Sequence, residues 1–360
     1  MLSLSTVTAE RIGYYLSIAQ EDYYTKGLEP PGTWFGPGAE RLGLRGEVAQ
    51  DQFRPLLAGF SPDGHGPLVQ NAGHTNRQCG WDLTFSAPKS VSVLWALGPP
   101  EVRSAIEAAH RQAVEACLAY VQQHCAATRR GPRGTSREPA LLAFALFDHG
   151  TSRAQDPLLH THATLLNLGL RQDGTTGTIE SRPIFRAKML IGHRYQMELA
   201  AGLRHRLPLT LEPERVGFHV VGVPHELCRV FSQRRQAIER HLQKRGLQGA
   251  LAAKAATLAT RPKKIAVSRE ELQAQWEERA AAWGWSAEHA RRLIQPGAQH
   301  QASGTEHRFV TEIRQAIAAL PEGQRSPRRV LREVTQLAVR HGTDAQTVLN
   351  ALQTVCHQDA

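Results

Sequence analysis

At 360 residues, with 41% of them hydrophobic, the chain is long enough to bury a full core and exceeds one typical domain. A formal net charge of +10 favours a polyanionic partner, although many basic surfaces are only solvated. Five cysteines (Cys79, Cys117, Cys125, Cys228, Cys356) without paired spacing exclude a disulfide scaffold and fit the reduced thiols of a cytosolic protein. No apolar run approaches the roughly 20 residues of a membrane-spanning helix, and the first residues lack a secretory apolar region.

In chain order, an N-terminal helix carries two tyrosine pairs, Tyr14-Tyr15 and Tyr23-Tyr24, and a polar, loop-rich region follows. The apolar positions Leu83, Phe85, Val91, Val93 and Leu94 predict a strand over 81–96. Val102, Ile106, Ala109, Ala113, Ala116 and Cys117 recur at helical spacing and predict a helix over 101–126. Residues 127–139 read as a basic Gly/Pro/Ser-rich loop, and 140–170 as a hairpin. Asp173-Gly174 marks a turn. A helix over 184–206, a short hairpin within 207–222 and a mostly helical stretch to 285 come next. Pro296 and Gly297 mark a polar linker, 286–306, ahead of a small amphipathic helical unit, 307–360. No internal repeat is present.

The hairpin carries the chemistry. Leu141 to Phe147 is an apolar run too short for most helices, with His149 at its exit. Gly, Thr, Ser, Asp and Pro fill 150–157 and predict a turn. Leu158 to Leu168 resumes a buried strand containing His160 and His162. Side chains alternate along a strand, so His160 and His162 share a face, and antiparallel pairing brings His149 to it. Three imidazoles with no fourth close ligand suit a divalent ion with open coordination positions. The competing readings are ordinary histidines in a chain with 17 of them, or a closed structural zinc site, which the missing fourth ligand disfavours. The tyrosines alone are more readily packing residues, because a phenol with a pKa near 10 is a poor nucleophile until a base or metal helps.

Four blocks resemble the relaxase domain of TrwC/TraI-type (MobF) conjugative relaxases, within the His-hydrophobic-His endonucleases. They are the two tyrosine pairs; Trp34 to Leu44, similar to W-x-G-x-G-A-E-x-L-G-L; Asp82-Leu83-Thr84-Phe85-Ser86-Ala87-Pro88-Lys89-Ser90-Val91-Ser92; and His149 to His162. Weaker similarity continues through Tyr195-Gln196-Met197-Glu198-Leu199 and Phe231-Ser232-Gln233-Arg234-Arg235, covering roughly residues 1–285. Thr161 departs from the group's name, standing where a large apolar residue would.

The resemblance implies an α+β fold: a five-stranded antiparallel palm-like sheet with helices on one face, helical C-terminal fingers and a small helical tail. It implies a relaxase domain over 1–285, with 307–360 resembling the start of a helicase region. It implies that Tyr14 nicks one strand at a transfer origin and becomes joined to the 5′ phosphate. Tyr23 serves a second strand transfer, with Tyr15 and Tyr24 the less favoured members of each pair. His149, His160 and His162 are the implied ligands of one divalent ion (Mg, Mn or Zn). Asp82 is the implied acid that orients a ligand histidine or helps remove the tyrosyl proton. The implied partners are single-stranded and hairpin DNA, relaxosome accessory proteins, a coupling protein and a helicase, in the bacterial cytoplasm without membrane insertion. From their position near the motifs, Arg77, Lys89 and Arg153 are candidate backbone contacts, while Arg261-Pro262-Lys263-Lys264 serves equally as DNA clamp or surface loop. No G-x-x-x-x-G-K-[ST] loop is present for ATP. A rolling-circle replication initiator, a metal-dependent hydrolase and a non-catalytic DNA-binding module are the alternative readings.

Overall fold

A computed structural model describes residues 1–13, 16, 30–260, 267–295, 306–321 and 326–358. In chain order the elements are β1 (Leu2–Thr8), β2 (Thr33–Phe35), α1 (Pro37–Arg41), α2 (Gln50–Ala58), β3 (Gln78–Ser86), α3 (Lys89–Leu97), α4 (Pro100–Cys125), β4 (Ala127–Arg130), β5 (Ser136–Pro139), β6 (Leu141–Thr151), β7 (Pro157–Leu170) and β8 (Thr176–Gly177). There follow α5 (Arg182–Arg206), β9 (Leu211–Pro213), β10 (Phe218–Val220), α6 (His225–Val230), α7 (Gln233–Lys244), α8 (Ala250–Ala259), α9 (Arg269–Ala281), α10 (Ala287–Leu293), α11 (Glu306–Ala318), α12 (Pro327–His341) and α13 (Ala345–Gln358).

The main sheet runs β1-β3-β7-β6-β2, with short β8 added beside the end of β7, and its strand pairs are antiparallel. The sheet is antiparallel, as the resemblance implied, with five strands on its main path and one short strand beside it. Period-two alternation divides its side chains. Leu83, Phe85, Phe144, Leu146, Ala163 and Leu165 face the long helices α4 and α5, packing with Ile106, Val114, Tyr195 and Leu199. Full burial of a side chain such as Leu83 or Phe85 stabilises by about 1.5–3 kcal/mol. The opposite face, with Ala143, Ala145, Phe147, Leu166 and Leu168, is covered over part of its length by Phe53, Leu56 and Leu57 of α2, together with Leu16. The long helices thus lie on one face as expected, and the second face carries only short ones.

Three expectations are corrected. The strand predicted over 81–96 ends at Ser86, and Val91, Val93 and Leu94 belong to α3. Pro88, which cannot donate to a ladder, stands at the helix entry. Every residue from Ser90 to Leu97 is buried, so the segment has no polar face to reveal a helical period. The loop predicted over 127–139 is largely a two-stranded ribbon, β4 against β5, with Arg129 opposite Arg137. The linker predicted over 286–306 begins with helix α10, whose Ala290 is buried in the main core. The helical tail packs on α5. Met197 of α5 sits in one apolar cluster with Phe309, Ile313, Val334 and Val348, and Arg204 of α5 donates to the carbonyl of Arg340 at the end of α12. Among the described residues, no helix is long and apolar enough to cross a membrane.

Candidate metal centre and the hairpin that carries it

Strands β6 and β7 pair with His149 opposite His160 and Phe147 opposite His162. The alternation anticipated from sequence therefore holds: His160 and His162 share a face, and His149 meets them from the neighbouring strand. The ring centroids are 5.3 Å (149–160), 5.3 Å (149–162) and 5.1 Å (160–162) apart. One ring nitrogen from each lies within 4.8 Å of the others. Just past His149 the register shifts, at Gly150. A Cβ there would stand 2.3 Å from the Trp95 ring, so only glycine lets α3 approach the strand this closely.

Two of the rings are fixed from behind. The Nδ1–H of His160 donates to the Leu158 carbonyl at 2.8 Å. His162 Nδ1 lies 2.8 Å from Asp82 Oδ2 on β3, and Asp82 also accepts from Thr84 Oγ1 at 3.2 Å. Both contacts place the proton on Nδ1 and leave Nε2 with its lone pair, as in metal-binding histidines whose other nitrogen is held by a carbonyl or carboxylate. Burial, followed by the neighbouring His162, pushes His160 down to about 3, so the ring is neutral at pH 7. The donor set, the tautomers and the neutrality all suit a divalent ion with open coordination positions.

The other side of β7 holds a network that sequence reasoning missed. Thr161, between the two histidines, points away from them and donates to Asp148 Oδ1 at 2.5 Å. His110 of α4 bridges Thr161 Oγ1 (2.8 Å) and the Tyr195 hydroxyl of α5 (2.7 Å). Because the Thr161 hydroxyl is committed to Asp148, His110 donates to Thr161 through Nε2 and accepts from Tyr195 at Nδ1. Burial pushes His110 down to about 4 and Tyr195 well up, so both are neutral. Asp148 continues to Arg111 at 3.0 Å, and Arg111 to Thr33 of β2 at 2.7 Å. The sequence signal was present: His110 falls at an apolar position of its helix, between Ile106 and Ala113.

The turn between the strands is tied to the C-terminal helices. Asp156, 1% exposed, accepts from Gln233 N (2.8 Å), Gln233 Nε2 (2.9 Å) and Arg279 (3.1 Å). Arg279 lies over the Phe231 ring at 4.6 Å. Gln155 adopts φ +60°, and its carbonyl accepts from Trp276 Nε1 at 2.7 Å. The turn block and the weaker Phe231–Arg235 block of the sequence thus meet here.

Of the three cations predicted to contact DNA, Arg77 is corrected. It is 1% exposed and donates to the carbonyls of Leu57 (3.3 Å) and Asn167 (2.9 Å), making it an interior strut between α2 and β7. Lys89 is half-buried, donates to the Pro157 carbonyl at 2.6 Å, and is pushed down to about 8 by burial, so its first role is holding the turn. Arg153 lies half-exposed on the turn itself. Tyr14, Tyr15, Tyr23 and Tyr24 lie outside the described residues, as does Arg261 to Lys264. Leu16 is described: it is buried on the histidine-bearing face of the sheet, and its carbonyl accepts from Gln50 at 3.0 Å.

Comparison with known proteins gives consistent matches. The family model for TrwC relaxase matches residues 9–283. Two curated Escherichia coli proteins, each a multifunctional conjugation protein TraI, are 35% identical over 345 residues and, in strain K12, 34% identical over 349. Each match covers 89% of this chain, which spans only 19% of those relatives' length. Among solved structures, conjugative relaxase TrwC with oriT DNA in its copper-bound form superposes with a TM-score of 0.71 at 34% identity, covering 80% of this chain and 100% of that one. The metal-free TrwC complex with oriT DNA gives 0.71 at 32%, with the same coverage. TrwC bound to a 27-mer comprising the recognition hairpin and the cleavage site gives 0.70 at 33%, again over 80% and 100%.

Proposed function

The chain belongs to the TrwC relaxase family, and from that premise we propose that it nicks one DNA strand at a transfer origin through a tyrosine and rejoins it after conjugative transfer. The observation that carries this reading is the cluster of three imidazoles, His149, His160 and His162, with His160 and His162 presenting Nε2 on one sheet face. In this reading these residues hold one divalent ion. When bound, it supplies Lewis-acid stabilisation of charge on the scissile phosphate and a template for its orientation.

The chain's own residues do the rest. Tyr14 attacks phosphorus; the new bond joins its phenolic oxygen to the 5′ phosphate, the P–O3′ bond breaks, and the 3′ oxygen leaves and takes up a proton. The phosphotyrosine keeps the bond energy of the original diester, so the 3′ hydroxyl reverses the step without another energy source. Asp82 holds His162 in its ligating tautomer. Tyr23 takes a later strand transfer, with Tyr15 and Tyr24 as reserve phenols. Leu16, two residues after Tyr14, is buried in one cluster with Phe53 and Phe147 on the histidine-bearing face, which supports this reading.

The domain reading is a strand transferase over 1–285, with 307–360 as a small helical addition. The proposed DNA partner is a hairpin followed by a single strand, matching the ligand that the TrwC complex names. Accessory relaxosome proteins, a coupling protein and a helicase would join it in the cytoplasm. The conjugation role is favoured over replication initiation because both the TraI and TrwC relatives are conjugation proteins. The test is nicking of an origin oligonucleotide by wild type, His160→Ala and His162→Ala, with and without chelator. Loss of nicking in both variants and with chelator is expected, with much of the DNA binding retained. Full activity of either variant in metal-free buffer contradicts the reading.

A further inference from the structure

A second cluster of metal-ligating side chains stands on elements that contribute nothing to the first. The β9–β10 hairpin closes through residues 214–217, where Gly217 takes φ +85° and Glu214 N donates to the Gly217 carbonyl at 3.0 Å. This turn places Glu214 one residue beyond β9 and His219 within β10. The chain then passes Pro224 into α6, whose first residue is His225. The ligand atoms of Glu214, His219 and His225 all lie within 4.8 Å of one another.

We propose that Glu214, His219 and His225 form a second metal site, for a divalent transition ion of the zinc class, which staples the β9–β10 hairpin to the start of α6. Three observations carry this. His219 is buried, and its Nε2–H donates to the Val223 carbonyl at 2.7 Å. That bond fixes the tautomer and leaves the Nδ1 lone pair 3.8 Å from Glu214 Oε1, the second-nitrogen support typical of ligating histidines. His225 Nδ1 is 4.0 Å from the same oxygen, with the two imidazoles stacked at 4.0 Å between centroids. Both nitrogen–oxygen separations are too long for hydrogen bonds. A tetrahedral ion with bonds of about 2.0–2.2 Å sets its ligand atoms roughly 3.4 Å apart. Reaching that spacing takes about 0.4–0.6 Å of closure and a rotation of the His225 ring out of its stack on His219, and the side chains that must move, His225 and Glu214, are 66% and 45% exposed. Their exposure leaves the remaining positions to water. Two imidazoles and one carboxylate select zinc, copper or nickel over magnesium or calcium, which prefer oxygen-only sets.

The test is zinc stoichiometry on the full chain by equilibrium dialysis, with folding followed by circular dichroism. The expected result is about two zinc ions per chain in wild type and about one in His225→Ala, with nicking unchanged in that variant. The double variant His160→Ala/His162→Ala, which removes the first cluster, should still bind about one, and should lose it when Glu214→Gln is added. Cobalt substituted into the double variant should give a visible d–d spectrum that Glu214→Gln abolishes. Absence of bound zinc from the His160→Ala/His162→Ala variant overturns the proposal, as does stoichiometry unmoved by both His225→Ala and Glu214→Gln. These outcomes are separate from failure of the strand-nicking reading, which depends on the first cluster alone.

Discussion

Thr161 shows how one position serves two sides of a strand. Its neighbours His160 and His162 face the candidate metal, while its own hydroxyl joins the His110–Tyr195 pair behind the sheet. A large apolar residue there would fill space but leave the buried His110 Nε2–H without its acceptor, and an unpaired buried polar group costs about 1–3 kcal/mol. The parity of His160 and His162 was legible from period two alone. Asp82 was not, because its contact with His162 spans 80 residues and local spacing carries no trace of it; only the resemblance pointed there. Asp82→Asn should fold and keep the hydrogen-bonding shape but weaken metal affinity by roughly 10–100-fold. Metal titration checks this, and unchanged affinity removes Asp82 from its supporting role.

The same network predicts a pH effect. His110 is held down to about 4 by burial, whereas an unfolded histidine titrates near 6.5. Between those values the unfolded chain binds the extra proton and the folded one does not, so stability falls as pH drops from 6.5 towards 4. Above 6.5 the group contributes no pH dependence. The loss is on the order of 3 kcal/mol. Urea unfolding at pH 7 and pH 5 should therefore show a smaller difference in His110→Gln than in wild type; an equal difference means that His110 is not the titrating group.

At the scale of elements, the β6–β7 hairpin depends on partners far along the chain. Asp156 binds the start of α7 and Arg279 of α9, joining the ligand strands to the C-terminal helices. Asp156→Ala leaves the Arg279 guanidinium and two Gln233 donors short of a partner and should cost about 3 kcal/mol. The expected readout is a lower urea midpoint at unchanged m-value. A midpoint within error of wild type shows that the turn is held elsewhere. The hairpin, α4 and α5 were legible because each pairs an apolar period with clear boundaries. Helix α3 was not: buried from Ser90 to Leu97 and carrying Val91 and Val93, it offers the same pattern as a strand. Only Pro88 separated the two, and its meaning depends on knowing where the ladder ends.

At the scale of the whole molecule, the charge of +10 predicts DNA binding that weakens steeply with salt, because each phosphate contact releases counterions. Sequence position placed Arg77 and Arg153 together as contacts, but burial separates them, which no local pattern revealed. Arg153→Ala should lower the slope of log affinity against log salt by about one unit. Arg77→Ala should instead lower stability, since it leaves the Asn167 carbonyl without this donor. Equal loss of slope in both variants contradicts that division.

In the proposed reaction a tyrosine of this chain carries the cut strand covalently. The direct measurement is to incubate the protein with a labelled single-stranded oligonucleotide spanning its own transfer origin, trap the adduct, digest it and identify the phosphotyrosine peptide. The expected product is an adduct that chelator prevents, with the label on Tyr14; Tyr14→Phe should lose most first-strand nicking, and Tyr23→Phe should retain it. Misplacement of an attacking group by about 1 Å costs roughly a hundredfold, so the neighbouring phenols substitute only slowly. Cleavage that releases a free 5′ phosphate with no adduct on any of the four tyrosines would rule out tyrosine transfer.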